Sequence, residues 1–302
     1  MTGTLHVLPL DTISESRIRA QATATADDTI ILGMPHLAIG GISETWLLKE
    51  LGHRHWQMLA RAAGRSVPDF QDSDGRAVYA AFNAVSLRNL NLAAAQENDP
   101  LEIASELMRL SRTQFRSFHR LFLGRDFIGS VELVSVFVKR TVTGRNRSIV
   151  RVDIPGLPPV APGEDATRLV NDAAAVRSDQ WSAHMGFARV DGRQLFRHEI
   201  NPSPSQDFNG AGFLYCATFQ AFADRAEWEF WHDVNLLPTT TQREIVFRGN
   251  IEIGERVAIL LQSMKETEDG FKHWCRVERV EDGQILADVF THRVFSQNRG
   301  RG

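Results

Sequence analysis

Four prolines, Pro155, Pro158, Pro159 and Pro162, crowd into the stretch from Asp153 to Gly163. Each locks φ and removes a backbone donor, so the stretch can form neither helix nor interior strand. It falls almost at the middle of a 302-residue chain. Domains average roughly 150 residues, so two units of ordinary size are expected, each long enough to bury a core. The expected boundaries are a lead-in over 1–27, a first unit over 28–153, a Pro-rich linker over 154–165 and a second unit over 166–302.

The two halves show the same order of elements without obvious identity. In the first, a Gly40-Gly41 turn leads into a helix over about 43–63. Ser43 is a good N-cap and Glu44 suits the positive helix start. Leu47, Leu51, His55, Met58, Leu59 and Ala62 recur at helical spacing, and Gly64 can close the helix. In the second, Asn209-Gly210 opens a helix expected to run to about Trp231, with Leu214, Ala217, Ala221 and Trp228 on its buried side.

Strands follow each helix. The dipeptides Asp269-Gly270 and Asp282-Gly283 are strong hairpin signals, and Asp191-Gly192 marks another. Between the first two, Phe271, His273, Cys275 and Val277 alternate with Lys272, Trp274, Arg276 and Glu278, a period-two strand. It should lie between strands 255–264 and 284–295 in an antiparallel meander. The first half offers strands near 76–88, 101–110, 114–123 and 127–140. A sheet of this kind must cover its apolar face. One long helix wrapped by a curved antiparallel sheet does so, which is the hotdog arrangement. Two in one chain make a double hotdog, an α+β fold, with the two sheets joined edge to edge. A four-stranded sandwich or a ferredoxin-like repeat shares part of the pattern, but the paired helices of the latter are not found.

Composition excludes other classes. The net charge is -3, with 34 Lys and Arg against 37 Asp and Glu, so no basic excess draws nucleic acid or a membrane surface. The two cysteines, Cys216 and Cys275, are too few for a disulfide scaffold and fit a reduced, cytoplasmic compartment. No signal peptide is visible, and no apolar run reaches the ~18 residues of a membrane span. No metal site is expected: His53 and His55 diverge on a helix, and His232 and His273 lack a ligand pattern. No phosphate loop or dinucleotide fingerprint occurs, so no bound cofactor is expected.

The first helix region is specific. The run from Met34-Pro35-His36 through Gly40-Gly41-Ile42-Ser43-Glu44-Thr45-Trp46 to Glu50, with His55-Trp56 after it, resembles the family of the leinamycin-pathway bifunctional acyltransferase/decarboxylase. That is a double-hotdog family of polyketide biosynthesis. The second-half run Asp207-Phe208-Asn209-Gly210-Ala211-Gly212-Phe213-Leu214-Tyr215 resembles it as well, so the likeness spans about 30–295. The resemblance implies decarboxylation of a malonyl-type acyl-CoA such as methylmalonyl-CoA, and transfer of the acyl group to the phosphopantetheine arm of an acyl carrier protein. Acyl-CoA and a carrier protein are then the expected partners, and a homodimer is compatible with it. The family tyrosine matches Tyr79.

Each candidate residue has two readings. Decarboxylating a malonyl thioester leaves an enolate, which backbone N–H groups at a helix start stabilise. Gly40, Gly41 and Ser43 at the first helix, and Asn209 and Gly210 at the second, are expected to bind substrate this way; otherwise they are tight turns and caps. The first start is expected to face a tunnel between the halves. Tyr79 can protonate an enolate or, deprotonated, carry an acyl group; otherwise it is a strand aromatic packed on the helix. Tyr215 reads as core. His36 can donate to the thioester oxygen or the leaving carboxylate, or it is structural. Glu44 can be a base or can complement the helix dipole. Two other functions compete. One is a hotdog dehydratase or thioesterase on acyl thioesters: Glu44 with His36 imitates a dehydratase pair, although the Gly-His-Phe-Pro run is missing. The other is a non-catalytic acyl-thioester binding module.

Overall fold

Ser43 sets the start of the first long helix. Its Oγ accepts a hydrogen bond from Trp46 N (3.3 Å), and Glu44 lies in the first turn. Helix α1 runs over Glu44–Ala62 and buries Leu47, Leu48, Leu51, His55, Leu59 and Ala60. The buried stripe thus takes in Leu48 and Ala60, while Met58 and Ala62 are only half-buried. Gly64, at φ +70, ends the helix in the left-handed region as expected.

The computed structural model describes residues 29–154, 156–157, 168–234 and 236–295. The expected lead-in over 1–27 lies outside the described residues, and so do all four linker prolines. Eleven strands of the described residues form one sheet. They are β1 (Thr29–Ile31), β2 (Tyr79–Arg88), β3 (Pro100–Arg109), β4 (Gln114–Leu123), β5 (Asp126–Arg140) and β6 (Ile149–Arg151) in the first half. The second half supplies β7 (Phe196–Ile200), β8 (Pro238–Phe247), β9 (Val257–Glu266), β10 (Gly270–Arg279) and β11 (Ile285–Phe295). The order is β1-β3-β4-β5-β2-β8-β11-β10-β9-β7, with β6 beside β5. All pairs are antiparallel, and β10 lies between β9 and β11 as the alternation requires.

The halves join where β2 pairs β8, with Ala84 opposite Val246 and Leu87 opposite Arg243. Each half's exposed edge thus finds a partner. The two long helices lie on one face of this sheet and touch: Thr45 Oγ1 donates to Gln220 Oε1 at 3.0 Å. One apolar core holds Leu47 and Leu51 of the first helix together with Ala217, Phe219 and Phe222 of the second. The fold is a double hotdog in which both helices share one core.

Three expectations change. The second long helix, α3, spans Cys216–Phe230 and does not begin at Asn209. Asn209 Oδ1 accepts from Ala211 N and Phe213 N (3.0 and 3.1 Å), and Gly212 sits at φ +75. The Asn side chain captures the donors a helix would use, so the run folds as a turn. A short helix, α2 (Arg168–Arg177), was not foreseen; it covers the sheet's outer face with Leu169, Ala173 and Val176, packed with Trp181, Trp274 and Phe290. Trp274, on the same face of β10 as Lys272, Arg276 and Glu278, is buried for that reason. Asp191-Gly192 makes no hairpin: Asp191 ends a 3-10 turn over Arg189–Asp191, and its carboxylate accepts from Ala188 N.

Candidate active site

A cavity of about 780 Å³ opens between the halves. Tyr79 to Asn83 of β2 line one side; Asn209 to Ala211 and Phe213 to Cys216, before and at the start of α3, line another. Gly52, His55 and Trp56 of α1 bound a third, and Arg151 and Arg177 also reach it. Tyr79, Asn209 and Gly210 therefore meet in one cavity. His36, Gly40, Gly41 and Ser43 are not among its lining residues.

The start of α3 is open. Its N-cap, Tyr215, makes no side-chain cap hydrogen bond. Thr218 N bonds the Tyr215 carbonyl at 3.0 Å, which leaves the N–H groups of Cys216 and Ala217 beside the Cys216 thiol at the positive end of the dipole. Cys216 sits there, but burial pushes its thiol up to about 12, against the pull of the N–H groups of Ala217 and Cys216. It is a neutral thiol at pH 7 and no nucleophile.

Tyr79 begins β2 and is half-buried. Its ring meets Phe213 edge-on, centroids 5.4 Å apart. The Arg140 guanidinium lies 3.9 Å from the Phe213 centroid and 5.5 Å from that of Tyr79. Arg140 Nη2 also donates to Ala211 O and Asn146 Oδ1, both at 2.6 Å. Asn146 Nδ2 in turn donates to Gly212 O at 2.7 Å. The first half thus holds the second half's turn against Tyr79, whose hydroxyl has no hydrogen-bond partner among the described residues.

His55 lies at the cavity's α1 side and is fully buried. Its ring nitrogens bond Ser117 Oγ and Ser135 Oγ, each at 2.7 Å. His119 continues the chain to Ser117 (2.9 Å) and Ser105 (2.8 Å). Burial takes both histidines down to about 3, helped at His119 by His55 and Arg54. Both are neutral at pH 7, and the hydroxyls satisfy them.

The start of α1 is plugged by ions. Glu44, its first residue, accepts from Arg243 Nε at 2.9 Å and from the Thr240 hydroxyl. Arg243 and Arg293 each reach Asp224 Oδ1 at 2.7 Å, and Arg293 and His273 reach Glu227 Oε2 at 3.0 and 2.7 Å. Burial would raise the Glu44 carboxyl, but Arg243 and Arg293 outweigh it and hold it below the usual range. Glu44 is therefore committed to arginine and does not pair with His36. His36 packs on Trp46, centroids 4.7 Å apart, and its Nδ1 accepts from Gly33 N at 2.8 Å. Gly41, at φ +100, lies so close to the backbone of Leu92 and Ala93 that no Cβ fits. Its glycine serves packing there, and the cavity lies at the other helix start.

Asp172, His184 and Glu244 bring ligand atoms within 4.8 Å of one another on the outer face. Arg88 (2.5 Å) and Arg168 (2.7 Å) both bind Glu244, and Arg168 also binds Asp172 (3.0 Å). Two guanidiniums on the carboxylates oppose a cation, so the cluster is an ion-pair network. Sequence reasoning missed Phe213, Cys216, Asn83 and Arg177 as cavity residues. Phe213 and Cys216 lie in or beside the Asp207–Tyr215 run that carries the resemblance, whereas nothing local marks Asn83 or Arg177.

Fold and site together define a double hotdog with a cavity at the junction of its repeats. No family model and no curated protein sequence matches the chain. Among solved structures it is similar to the 12:0-ACP thioesterase from Umbellularia californica, at 9% identity and a TM-score of 0.62, over 88% of this chain and 96% of that one. It is also similar to an acyl-ACP thioesterase from Bacteroides thetaiotaomicron, at 9% identity and a TM-score of 0.57, over 88% and 96%. At such identities the likeness is one of fold. The leinamycin-type likeness rests on the sequence motifs alone. Among the described residues no helix is long and apolar enough to cross a membrane.

Proposed function

We propose that the chain is an enzyme of acyl thioesters that binds its substrate between Tyr79 and the start of α3. One observation carries the reading: a helix start without a side-chain cap and a tyrosine whose hydroxyl has no hydrogen-bond partner among the described residues line the same cavity. The helix start supplies fixed donors to a thioester oxygen as it gains negative charge. The phenol supplies a proton. The acyl group comes on CoA or on the phosphopantetheine arm of a carrier protein, which implies a cytoplasmic location.

Two chemistries compete. Thioester hydrolysis draws support from the fold neighbours, which bear the names of acyl-ACP thioesterases. Water would add to the carbonyl, the oxyanion would sit at the start of α3, and the thiol would leave. That path wants a general base. Among cavity-lining groups, His55 is buried in hydroxyls, Asp69 is exposed and paired with Arg65, and His53 is exposed with Nε2 bonded to Gln57. Decarboxylative transfer draws its support from the sequence motifs and not from the fold neighbours. Loss of CO2 from a malonyl-type thioester needs no base; it leaves an enolate that the helix start can hold and Tyr79 can protonate.

The deciding measurement is mass spectrometry of the purified protein with lauroyl-CoA and methylmalonyl-CoA, each with and without a carrier protein. Free fatty acid from lauroyl-CoA supports hydrolysis. Propionyl-CoA or propionyl-carrier from methylmalonyl-CoA supports decarboxylation. Turnover of neither, with no binding of either, overturns the reading.

A further inference from the structure

Asn83 is the most unusual polar residue of the cavity. The β2–β5 register shifts between Phe82 and Ala84, so Asn83 is the extra residue of a β-bulge. Bulges re-aim a side chain that a regular ladder would send elsewhere. Asn83 is 8% exposed and lines the cavity, yet neither its Oδ1 nor its Nδ2 has a hydrogen-bond partner. A buried amide left unsatisfied forfeits its hydrogen bonds to water without replacement, so such groups call for an explanation.

Beside it lies uncompensated positive charge. Arg177, the last residue of α2, donates from Nη1 to the Asn83 carbonyl at 2.9 Å and lines the same cavity. Burial, and then the like charges of Arg151 and Arg248, hold its guanidinium below the ordinary range. Arg248 is neutralised by Asp288 (2.7 Å) and Asp179 (3.0 Å). Neither Arg177 nor Arg151 has a carboxylate partner among the described residues, and Arg151, exposed, stands at the cavity's rim.

We propose that Asn83, Arg177 and Arg151 form a subsite for a phosphorylated pantetheine arm, with the Asn83 amide on an arm amide and the two guanidiniums on the phosphate. The inference rests on the acyl-thioester reading and says where the non-reacting end of the substrate is held. An arm amide offers one donor and one acceptor, the complement of the two orphaned Asn83 atoms. Guanidiniums match phosphate geometry through paired N–H donors. A bare acyl chain would use neither group. The phosphate is shared by CoA and by a carrier protein's arm, so the probes must separate them.

The test is calorimetric binding of pantetheine, 4′-phosphopantetheine and CoA to the full chain and to three variants. In the unsubstituted protein, phosphopantetheine should bind at least tenfold more tightly than pantetheine. Arg177→Gln and Arg151→Gln should cut that preference below threefold and leave pantetheine binding unchanged. Asn83→Leu should weaken pantetheine about tenfold while the melting temperature holds or rises, because an orphaned amide has been removed; a purely structural Asn83 would give the reverse. Arg151 is exposed, so its variant keeps the test alive should Arg177→Gln fold poorly. CoA binding tighter than phosphopantetheine names CoA as the source of the arm, and equal binding names a carrier protein; either supports the subsite. Equal binding of pantetheine and phosphopantetheine, or variants that keep the preference, overturns it while thioester turnover leaves the proposed function standing. If none of the three probes binds and no thioester is turned over, both fall.

Discussion

Tyr79 and Phe213 meet edge-on across the junction of the two repeats, centroids 5.4 Å apart at 75°. Tyr79 opens a strand of the first repeat; Phe213 lies in the turn before the long helix of the second. The contact brings the phenol to the start of α3, so neither repeat alone makes the site.

Replacing Tyr79 by Phe keeps this aromatic contact and removes only the hydroxyl. Turnover of the true thioester substrate should fall by about 10²–10⁴, the usual worth of a positioned proton donor. The melting temperature should not change. Full turnover by the Tyr79→Phe protein would show that the residue only packs.

Gly41 and Gly210 should separate in their response to a methyl group. At Gly41 a Cβ runs into the Leu92 backbone at a positive φ, so Gly41→Ala should destabilise by about 2–4 kcal/mol. At Gly210 nothing lies within 4 Å of a Cβ. Gly210→Ala should melt like the parent and change KM instead. Thermal melts beside initial rates settle both.

Glu44→Gln leaves Arg243, which is fully buried, short of a carboxylate. Removing one partner of a buried pair typically costs about 3–5 kcal/mol. The loss should appear in denaturant melts, with turnover per folded molecule preserved. A collapse of turnover in a protein that still folds would restore Glu44 as a catalytic base.

His36→Ala should lower turnover by less than threefold, because the ring packs on Trp46 and does not line the cavity. A loss of a hundredfold in initial-rate assays would return His36 to the chemistry.

His55 and His119 should make stability pH-dependent. Their folded values, about 3, lie below the ordinary histidine value of roughly 6.5. Between the two, the unfolded chain binds more protons. Stability should be full above about pH 6.5 and decline as pH falls towards 3, by about 1.4 kcal/mol per pH unit for each histidine. Denaturant melts from pH 7.5 to 5 should show this slope, and His119→Asn should roughly halve the histidine share of it. An unchanged slope in that variant would mean that His119 does not carry it.

Local rules made much of the fold legible. Ser43, Glu44 and Gly64 mark the ends of α1 through capping chemistry confined to a few residues. The Asp-Gly turns and the alternation from Phe271 to Glu278 place β10 between its neighbours, because pleat and turn geometry are local. The start of α3 was misread because Asn209-Gly210 suits a helix cap and an Asx turn equally well. The Ala211 and Phe213 donors, held by Asn209 Oδ1, chose the turn.

By itself the sequence determined two helix-and-meander repeats, since periodicity and turn residues act over neighbours along the chain. Which helix start would stay open was a tertiary decision. Glu44 and Cys216 are the first residues of α1 and α3, and nothing near either in sequence says that one will be closed. Arg243, Asp224 and Arg293 arrive from the other repeat to fill the space beside Glu44, because a buried carboxylate must be paired. At the equivalent place by Cys216 the other repeat brings Tyr79 and Asn83, which leave a cavity. Charge compensation between residues some 200 positions apart is visible only once the chain has folded, and it settled where the site could be.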